Sequence, residues 1–165
     1  MEKKALNNVT GSCYIPNKQV IEEGLAQSRK NSRRRIILPI HRTQDAPVQR
    51  MLNFVQPGTY IRPHLHPRKH AVETIIVYRG AIRFLLFDDN GNGNIEQKIK
   101  LEANSHRFMA DIEPRIWHSF VVLQKDTILV ETKMGPYDAE RDKTFASWAP
   151  SEQAPEAKKW VDIHT

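Results

Sequence analysis

The chain has 165 residues, a formal net charge of +6 from 25 basic and 19 acidic side chains, and a single cysteine, Cys13. One cysteine excludes an intrachain disulfide and a cysteine-rich zinc site, and no apolar run approaches the roughly 18–20 residues that span a bilayer. Since the N-terminal residues also lack the apolar stretch of a secretory signal, we expect a cytoplasmic protein without a membrane span, built as a single domain.

The positive charge is concentrated in one short segment. Five of the 25 basic residues lie between Arg29 and Arg35 with no acid among them, and without them 20 basic residues face 19 acidic ones, a net charge of +1. This basic segment either contacts the phosphates or carboxylates of an anionic partner or is a solvated helix end. We favour the solvated helix end, and because no aromatic residues are interleaved with the segment we expect no nucleic-acid partner.

Residues 1–34 are predicted to form an irregular arm followed by a helix over about residues 17–30. Val20, Ile21 and Leu25 share one side of that helix, and Asn17 is a suitable N-cap. Gly24 in the middle disfavours the helix, because glycine loses more backbone entropy than any other residue.

Residues 35–135 are predicted to form an all-β barrel. Short runs rich in branched and aromatic residues alternate with turn signals, the strongest of which is the DDNGNGN stretch that begins at Asp88. Seven or eight strands at this spacing are typical of a sandwich or barrel. The predicted strands have the sequences IILPI, QRMLNFV, TYIRPHLH, ETIIVY, AIRFLLF, IEQKIKL, SFVVL and TILVETK.

Residues 136–165 are polar and interrupted by prolines. We expect them to form a short C-terminal segment that packs Phe145, Trp148 and Trp160 back onto the barrel. No linker separates this segment from the rest, so the chain is predicted to be one domain overall.

Histidines provide the candidate chemistry. His64 and His66 are two residues apart, so in a strand they face the same side, about 6–7 Å apart. Glu73 is placed to face them from the next strand, with His70 as a rival for the same role, and His118 is the best distant candidate. Three imidazoles and one carboxylate suit iron, manganese, nickel, zinc or copper and leave open positions on the metal. The simpler alternatives are solvent-facing histidines and, for His118, a core histidine.

The spacing of Gly58, His64, His66, Glu73 and Gly80 resembles the first motif of the cupin superfamily, a double-stranded β-helix jelly roll that binds one metal. More narrowly, the chain from Arg35 to Glu152 resembles the WbuC family of cupin-fold metalloproteins. This resemblance rests on the stretches DAPVQRMLNFVQPGTYIRPHLHPRKH, FDDNGN, IWHSF, ETKMGPYD and KTFASWAP.

Two features depart from the superfamily pattern. Six residues separate His66 from Glu73, where three or four are usual, which leaves the choice between Glu73 and His70 open. The second cupin motif is reduced to EPRIWHSF, so the assignment of His118 depends on the narrower resemblance.

Several charged residues are predicted to line the site. If residues 59–66 form a strand, Tyr60 and Arg62 share a face with His64 and His66. Arg62, Tyr60 and Lys133 are candidate substrate-binding residues, and Glu131 and Tyr60 are candidate proton-transfer residues. Glu131 and Lys133 lie on one face of the last long strand, where the alternative is a surface ion pair on an edge strand.

The resemblance implies a setting in surface-polysaccharide (O-antigen, lipopolysaccharide) biosynthesis. We therefore expect the metal to act as a Lewis acid on a carbohydrate or sugar-nucleotide ligand, in an isomerase, epimerase or lyase type of reaction. A non-haem metal-dependent oxygenase and a non-catalytic ligand-binding cupin are the alternatives, so enzyme activity stays open. We further expect a small anionic or carbohydrate ligand and a homodimer.

Overall fold

A computed structural model describes residues 3–88 and 92–165 of the chain. The elements are, in chain order, α1 (Lys18–Lys30), β1 (Arg35–Pro39), β2 (Val48–Val55), β3 (His64–Leu65), β4 (Glu73–Arg79), β5 (Ala81–Phe87), β6 (Ile95–Glu102), β7 (Met109–Ile112), β8 (His118–Val122), β9 (Thr127–Met134), β10 (Thr144–Phe145) and α2 (Glu156–His164).

The strands form two five-stranded sheets. The first sheet has the order β1-β2-β9-β4-β7 and the second has the order β10-β3-β8-β5-β6. Neighbouring strands pair antiparallel in both sheets. The main core lies between the sheets, where Val55, Ile75 and Leu129 of the first pack with Ile82 and Phe84 of the second. This arrangement confirms the predicted all-β jelly roll with an N-terminal helix.

The predicted N-terminal helix is confirmed as α1, which packs on the outer face of the first sheet. The Asn17 side chain accepts a hydrogen bond from the Val20 backbone N–H at 3.0 Å, as expected of an N-cap. Gly24 is buried against Phe54, and a Cβ at position 24 would come within 2.4 Å of the Phe54 ring. Here glycine is explained by the close approach of the helix to the sheet.

The C-terminal segment contributes two elements that the sequence analysis did not predict. Strand β10 pairs with β3 and so extends the second sheet, and α2 packs through Ala157 and Val161 against Val121. Trp148 lies 4.9 Å from the Phe87 ring, between ring centroids, so this tryptophan packs on the barrel as expected. Phe145 differs from the expectation, because on the edge strand β10 its side chain is 51% exposed.

The structure differs from the predicted strands at two places, before His64 and at β7. The strand predicted over residues 59–66 is reduced to His64–Leu65, since Pro63 offers no backbone N–H and the Thr59 N–H instead closes a turn onto the carbonyl of Gln56. Strand β7 was not predicted, because its sequence MADI is only four residues long and contains a single β-branched residue, Ile112. The DDNGNGN turn joins β5 and β6, but residues 89–91 lie outside the described residues.

The turn between β4 and β5 depends on Gly80. This residue has a φ of +82° and a Cβ there would meet the Thr127 side chain at 2.2 Å, so both the backbone conformation and the space require glycine. The turn starts β5 immediately after β4, the strand that begins with Glu73. Over the described parts of the chain, no helix is long and apolar enough to cross a membrane.

Candidate metal centre

Four buried side chains converge between the two sheets. His64 and His118 lie in β3 and β8 of the second sheet, His66 directly follows β3, and Glu73 begins β4 of the first sheet. One potential ligand atom from each of the four lies within 4.8 Å of all the others. His64 and His118 are directly opposite each other in the β3–β8 pairing, with ring centroids 4.5 Å apart. The structure thus brings together all four residues that the sequence singled out as metal ligands.

The three histidines share one hydrogen-bonding arrangement. In each ring Nδ1 donates to a backbone carbonyl: His64 to Arg62 at 2.9 Å, His66 to Asp142 at 2.6 Å and His118 to Ile116 at 2.8 Å. A carbonyl oxygen only accepts hydrogen bonds, so Nδ1 must carry the proton. A neutral ring then has a bare lone pair on Nε2, and this lone pair points into the cluster.

The inner nitrogens face a carboxylate. Oε2 of Glu73 lies 3.1 Å from Nε2 of His66 and 3.0 Å from Nε2 of His118. Nε2 of His64 is buried and has no hydrogen-bond partner among the described residues. A lone pair on Nε2 and the negatively charged carboxylate repel each other. Either a proton on each of these two rings or one shared cation must therefore lie between the ring nitrogens and Glu73. The donor set fits a divalent transition metal, since metal-binding histidines typically donate their second N–H to a carbonyl.

The electrostatic environment favours a neutral His64 ring, with Nε2 unprotonated. Burial, followed by the nearby charges of Lys143 and His118, holds the pKa of His64 well below its usual value. Burial alone would raise the pKa of Glu73, but its contacts with His118 and His66 hold that pKa well below the usual carboxyl range. Glu73 is therefore a carboxylate and His64 a free nitrogen donor.

The geometry favours Glu73 over His70 as the fourth candidate ligand. Glu73 is 2% exposed and contacts two of the histidines. His70 is exposed in the loop between β3 and β4, and the group of candidate ligands found among the described residues does not include it. The longer spacing after His66 forms this loop and does not displace the acid from the cluster.

A cavity of about 430 Å³ opens beside His64. Arg62 lies on its wall, with the guanidinium 5.4 Å from the Phe145 ring centroid and one nitrogen donating to the Ala146 carbonyl at 2.7 Å. The arginine Nε is buried without a hydrogen-bond partner in the described structure. Of the predicted substrate-binding residues, Arg62 is thus placed at this cavity, and the half-exposed Phe145 stands at its edge.

Glu131 also lines the cavity, on the inner face of β9. Its Oε2 accepts a hydrogen bond from the Asn53 side-chain amide at 2.6 Å. Burial, with the charge of Glu73 next in importance, raises the pKa of Glu131 to about 7. Because β9 is the central strand of the first sheet, the alternative of a surface ion pair on an edge strand is wrong.

Lys133 and Tyr60 are placed differently from the expectation. The Lys133 ammonium lies 2.7 Å from Oδ2 of Asp142, in an ion pair whose side chains are 9% and 7% exposed. Tyr60 packs on Trp160 at 5.3 Å between ring centroids and donates its hydroxyl hydrogen bond to the Pro150 carbonyl. Burial raises the Tyr60 pKa to about 12. The alternation that placed Tyr60 beside the histidines does not apply, because it is not in a strand.

Three residues around the site were not predicted from the sequence. Lys143 lines the cavity with His64, Asn53 holds Glu131, and Asp142 contacts both Lys133 and His66. Lys143 begins the KTFASWAP stretch and Asp142 immediately precedes it, so this stretch was the available signal for both. Asn53 is a buried polar residue between the apolar Leu52 and Phe54, which is the corresponding signal in β2.

A protein-family comparison matches residues 17–101, just over half of the chain, to a family described as "Domain of unknown function (DUF6016)". No curated protein matches the sequence.

Solved structures share the fold at low sequence identity. An uncharacterized conserved protein with a double-stranded β-helix domain from Klebsiella pneumoniae has a TM-score of 0.55 and 16% identity, over 84% of this chain and 99% of that one. Oxalate decarboxylase from Bacillus subtilis has a TM-score of 0.50 and 12% identity, over 67% and 27% of the two chains. Oxalate oxidase with glycolate has a TM-score of 0.47 and 17% identity, over 60% of this chain and 46% of its own length. This chain therefore spans less than half of the oxalate oxidase, and the likeness concerns the fold alone.

Proposed function

The chain belongs to the DUF6016 family, and we propose that it is a metal-dependent cupin that binds a small anionic or carbohydrate ligand beside one divalent transition metal. His64, His66, Glu73 and His118 are the proposed metal ligands. One observation carries the proposal: Nε2 of His64 is buried, aimed at the cluster and without a hydrogen-bond partner among the described residues. A buried polar atom of this kind costs free energy unless something binds it.

The cavity beside His64 supports the proposed ligand class. A divalent metal at this site supplies Lewis acidity toward a carbonyl or hydroxyl oxygen. Arg62 and Lys143 place positive charge on the cavity wall, which suits a carboxylate or phosphate. Asn53 and Glu131 offer hydrogen bonds to hydroxyl groups, and Glu131 is the residue positioned to hold or move a proton at its carboxylate oxygens.

We propose an isomerase, epimerase or lyase type of reaction on a sugar derivative. The carbohydrate class and a role in surface-polysaccharide biosynthesis are supported by the resemblance to the WbuC family, most directly by the HLH and FASWAP stretches. Arg62, Lys143 and Glu131 are the residues that bind and orient the ligand in this proposal. The roles first considered for Tyr60 and Lys133 are not retained, because both side chains are engaged elsewhere.

Elemental analysis of the purified full-length protein tests the metal site. The wild-type protein and His70→Ala should carry stoichiometric metal, because His70 is exposed and outside the cluster. His64→Ala and His66→Ala should lose most of it. Equal, sub-stoichiometric metal in all four proteins would refute the proposed site.

The same ligand set also suits iron or manganese in an oxygen-activating site. Oxygen uptake by the metal-loaded protein in the presence of sugars and small carboxylates separates the two activities. Uptake that depends on the ligand would favour the oxygenase. Conversion of a sugar without oxygen uptake would favour the isomerase, epimerase or lyase, and ligand-dependent thermal stabilisation without any conversion would favour a binding protein.

We also propose that the protein is a homodimer. Strand β7 ends the first sheet, and Phe108 and Met109 beside this edge are each 41% exposed. An edge strand with exposed apolar side chains is the type of surface that a second copy covers. Sedimentation equilibrium should give twice the mass of one chain for the wild-type protein and a lower mass for Met109→Lys; a monomeric wild-type protein would contradict the proposal.

A further inference from the structure

A second cavity, of about 660 Å³, adjoins the cavity beside His64. The two cavities share the lining residues Lys4, Arg33, Arg35 and Glu152. From this shared wall the second cavity extends to Lys158 on α2. Both volumes fall within the range of about 300–1,000 Å³ that is common for ligand pockets. The cavity that contains His64 and the second cavity therefore lie next to each other, on two sides of the same four residues.

Positive charge dominates the walls of the two cavities. Taken together they are lined by six cationic and two acidic side chains, a formal excess of four positive charges. The cations are Lys4, Arg33, Arg35, Arg62, Lys143 and Lys158, and the acids are Glu131 and Glu152. Much of the net charge of the chain is thus gathered around two adjoining cavities, where low-dielectric walls strengthen its attraction for anions.

Arg33 and Arg35 form a cationic pair that a single carboxylate only partly neutralises. Nε of Arg33 and one terminal nitrogen of Arg35 both donate to the same oxygen of Glu152, each at 2.6 Å. Arg35 is held in place, with a side chain that is 13% exposed and a second hydrogen bond to the Tyr60 carbonyl at 2.8 Å. Burial and the charge of Arg33 lower the pKa of Arg35 to about 10, so a further anion here would relieve the repulsion.

Arg33 keeps its terminal nitrogens available. Its side chain is 27% exposed, and among the described residues its guanidinium bonds only through Nε, to Glu152. The two terminal nitrogens therefore remain free to donate to a ligand in either cavity.

We propose that the second cavity binds a phosphoryl group of a ligand whose other end lies at His64. A phosphoryl group offers several charged oxygens, so it accepts hydrogen bonds from Arg33, Lys158 and Lys4 at the same time, which one carboxylate does less well. The placement of the sugar end of the ligand at His64 depends on the proposed function. The phosphoryl subsite itself does not require the metal. The ligand class is accordingly a phosphorylated sugar.

Isothermal titration with glucose 1-phosphate, inorganic phosphate and glucose tests this subsite on the full chain. Arg33→Gln should weaken the binding of both phosphates at least tenfold. Arg34→Gln is the matched control, because Arg34 is adjacent, exposed and outside both cavities, and it should change the affinity less than twofold. Equal affinities in the two variants would overturn the proposal.

A second pair of variants avoids the Glu152 ion pairs. Lys158→Gln should weaken phosphate binding severalfold and its exposed neighbour Lys159→Gln should not, since only Lys158 lines the cavity.

Glu152→Gln should have the opposite effect and tighten phosphate binding, because it removes the carboxylate that competes with the ligand for Arg33 and Arg35. Weaker phosphate binding in Glu152→Gln would contradict the proposal.

His64→Ala separates the subsite from the metal centre. This variant should bind inorganic phosphate like the wild-type protein but lose the additional affinity for glucose 1-phosphate. If the purified protein carries no metal and phosphate binding still depends on Arg33, the metal proposal fails and the subsite stands. If metal is bound and phosphate binding is insensitive to Arg33, the subsite fails alone.

Discussion

Asp142 links the C-terminal segment to the group of candidate metal ligands and forms a buried ion pair. Asp142→Ala tests how much this pair contributes to the free energy of unfolding. Asp142 pairs with Lys133 through atoms 2.7 Å apart, and its backbone carbonyl accepts the hydrogen bond from Nδ1 of His66 at 2.6 Å. Burial lowers the pKa of Lys133, but Glu131 and Asp142 together raise it above its usual value, so the lysine is charged. Asp142→Ala leaves the buried Lys133 ammonium without its ion-pair partner and with Glu131 as an acidic neighbour. Breaking a buried pair in this way costs about 3–5 kcal/mol.

Urea unfolding of the metal-free protein measures this cost. Asp138→Ala is the matched control, because the Asp138–Arg141 pair lies in the same segment but its side chains are 31% and 78% exposed; it should cost less than about 1 kcal/mol. Asp142→Ala combined with Lys133→Met should recover most of the stability, since both charges of this buried pair are then removed. In a separate titration Asp142→Ala should weaken metal binding about 10–100-fold, because the carbonyl that orients His66 is less constrained. An unfolding free energy within 1 kcal/mol of the Asp138→Ala value would refute the reasoning.

Three further predictions concern the helix α1 and its contacts. Gly24→Ala should lower the free energy of unfolding by about 1–3 kcal/mol in urea titrations, because the added methyl meets the Phe54 ring; a more stable variant would show that the ring moves freely. Asn17→Ala should cost about 1 kcal/mol and Asn17→Asp much less, since only alanine removes the N-cap acceptor; equal losses would contradict the cap. Arg29 holds the pKa of Asp126 below its usual value, so the stability from this pair is present above a pH of about 4 and is lost as the pH falls further. The wild-type melting temperature should therefore fall more steeply than that of Asp126→Asn below that pH, and parallel profiles would contradict the pairing.

Local sequence signals predicted the elements whose structure is determined locally. Helix α1 has its cap and its apolar side within one short stretch of sequence, and β4 and β5 follow from short apolar runs on either side of Gly80. Helix α2 was missed although Ala157 and Val161 are four residues apart, because a polar, proline-rich context outweighed a single apolar pair. Strand β10 consists of two residues, and only its pairing with β3 makes it a strand.

The candidate ligands were predictable because their spacing carries the information. His64, His66 and Glu73 lie within ten residues of sequence, so strand alternation and one loop bring them together. The positions of the other residues around the site depend on strand order, which local sequence patterns do not reveal. Asn53 reaches Glu131 only because β2 pairs with β9, and Lys143 reaches the cavity only because the chain returns through β10. Tyr60 was misplaced for a different reason, since the predicted strand extended through Pro63 whereas β3 begins at His64.

Coordination of one metal by His64, His66, Glu73 and His118 is tested most directly by X-ray absorption spectroscopy at the edge of the bound metal. The wild-type protein and His70→Ala should give the same spectrum, with the multiple-scattering features of three imidazoles and a shell that contains a carboxylate oxygen. His118→Ala should lose one imidazole. A spectrum without imidazole scattering, or one that is unchanged in His118→Ala, would contradict the proposed centre.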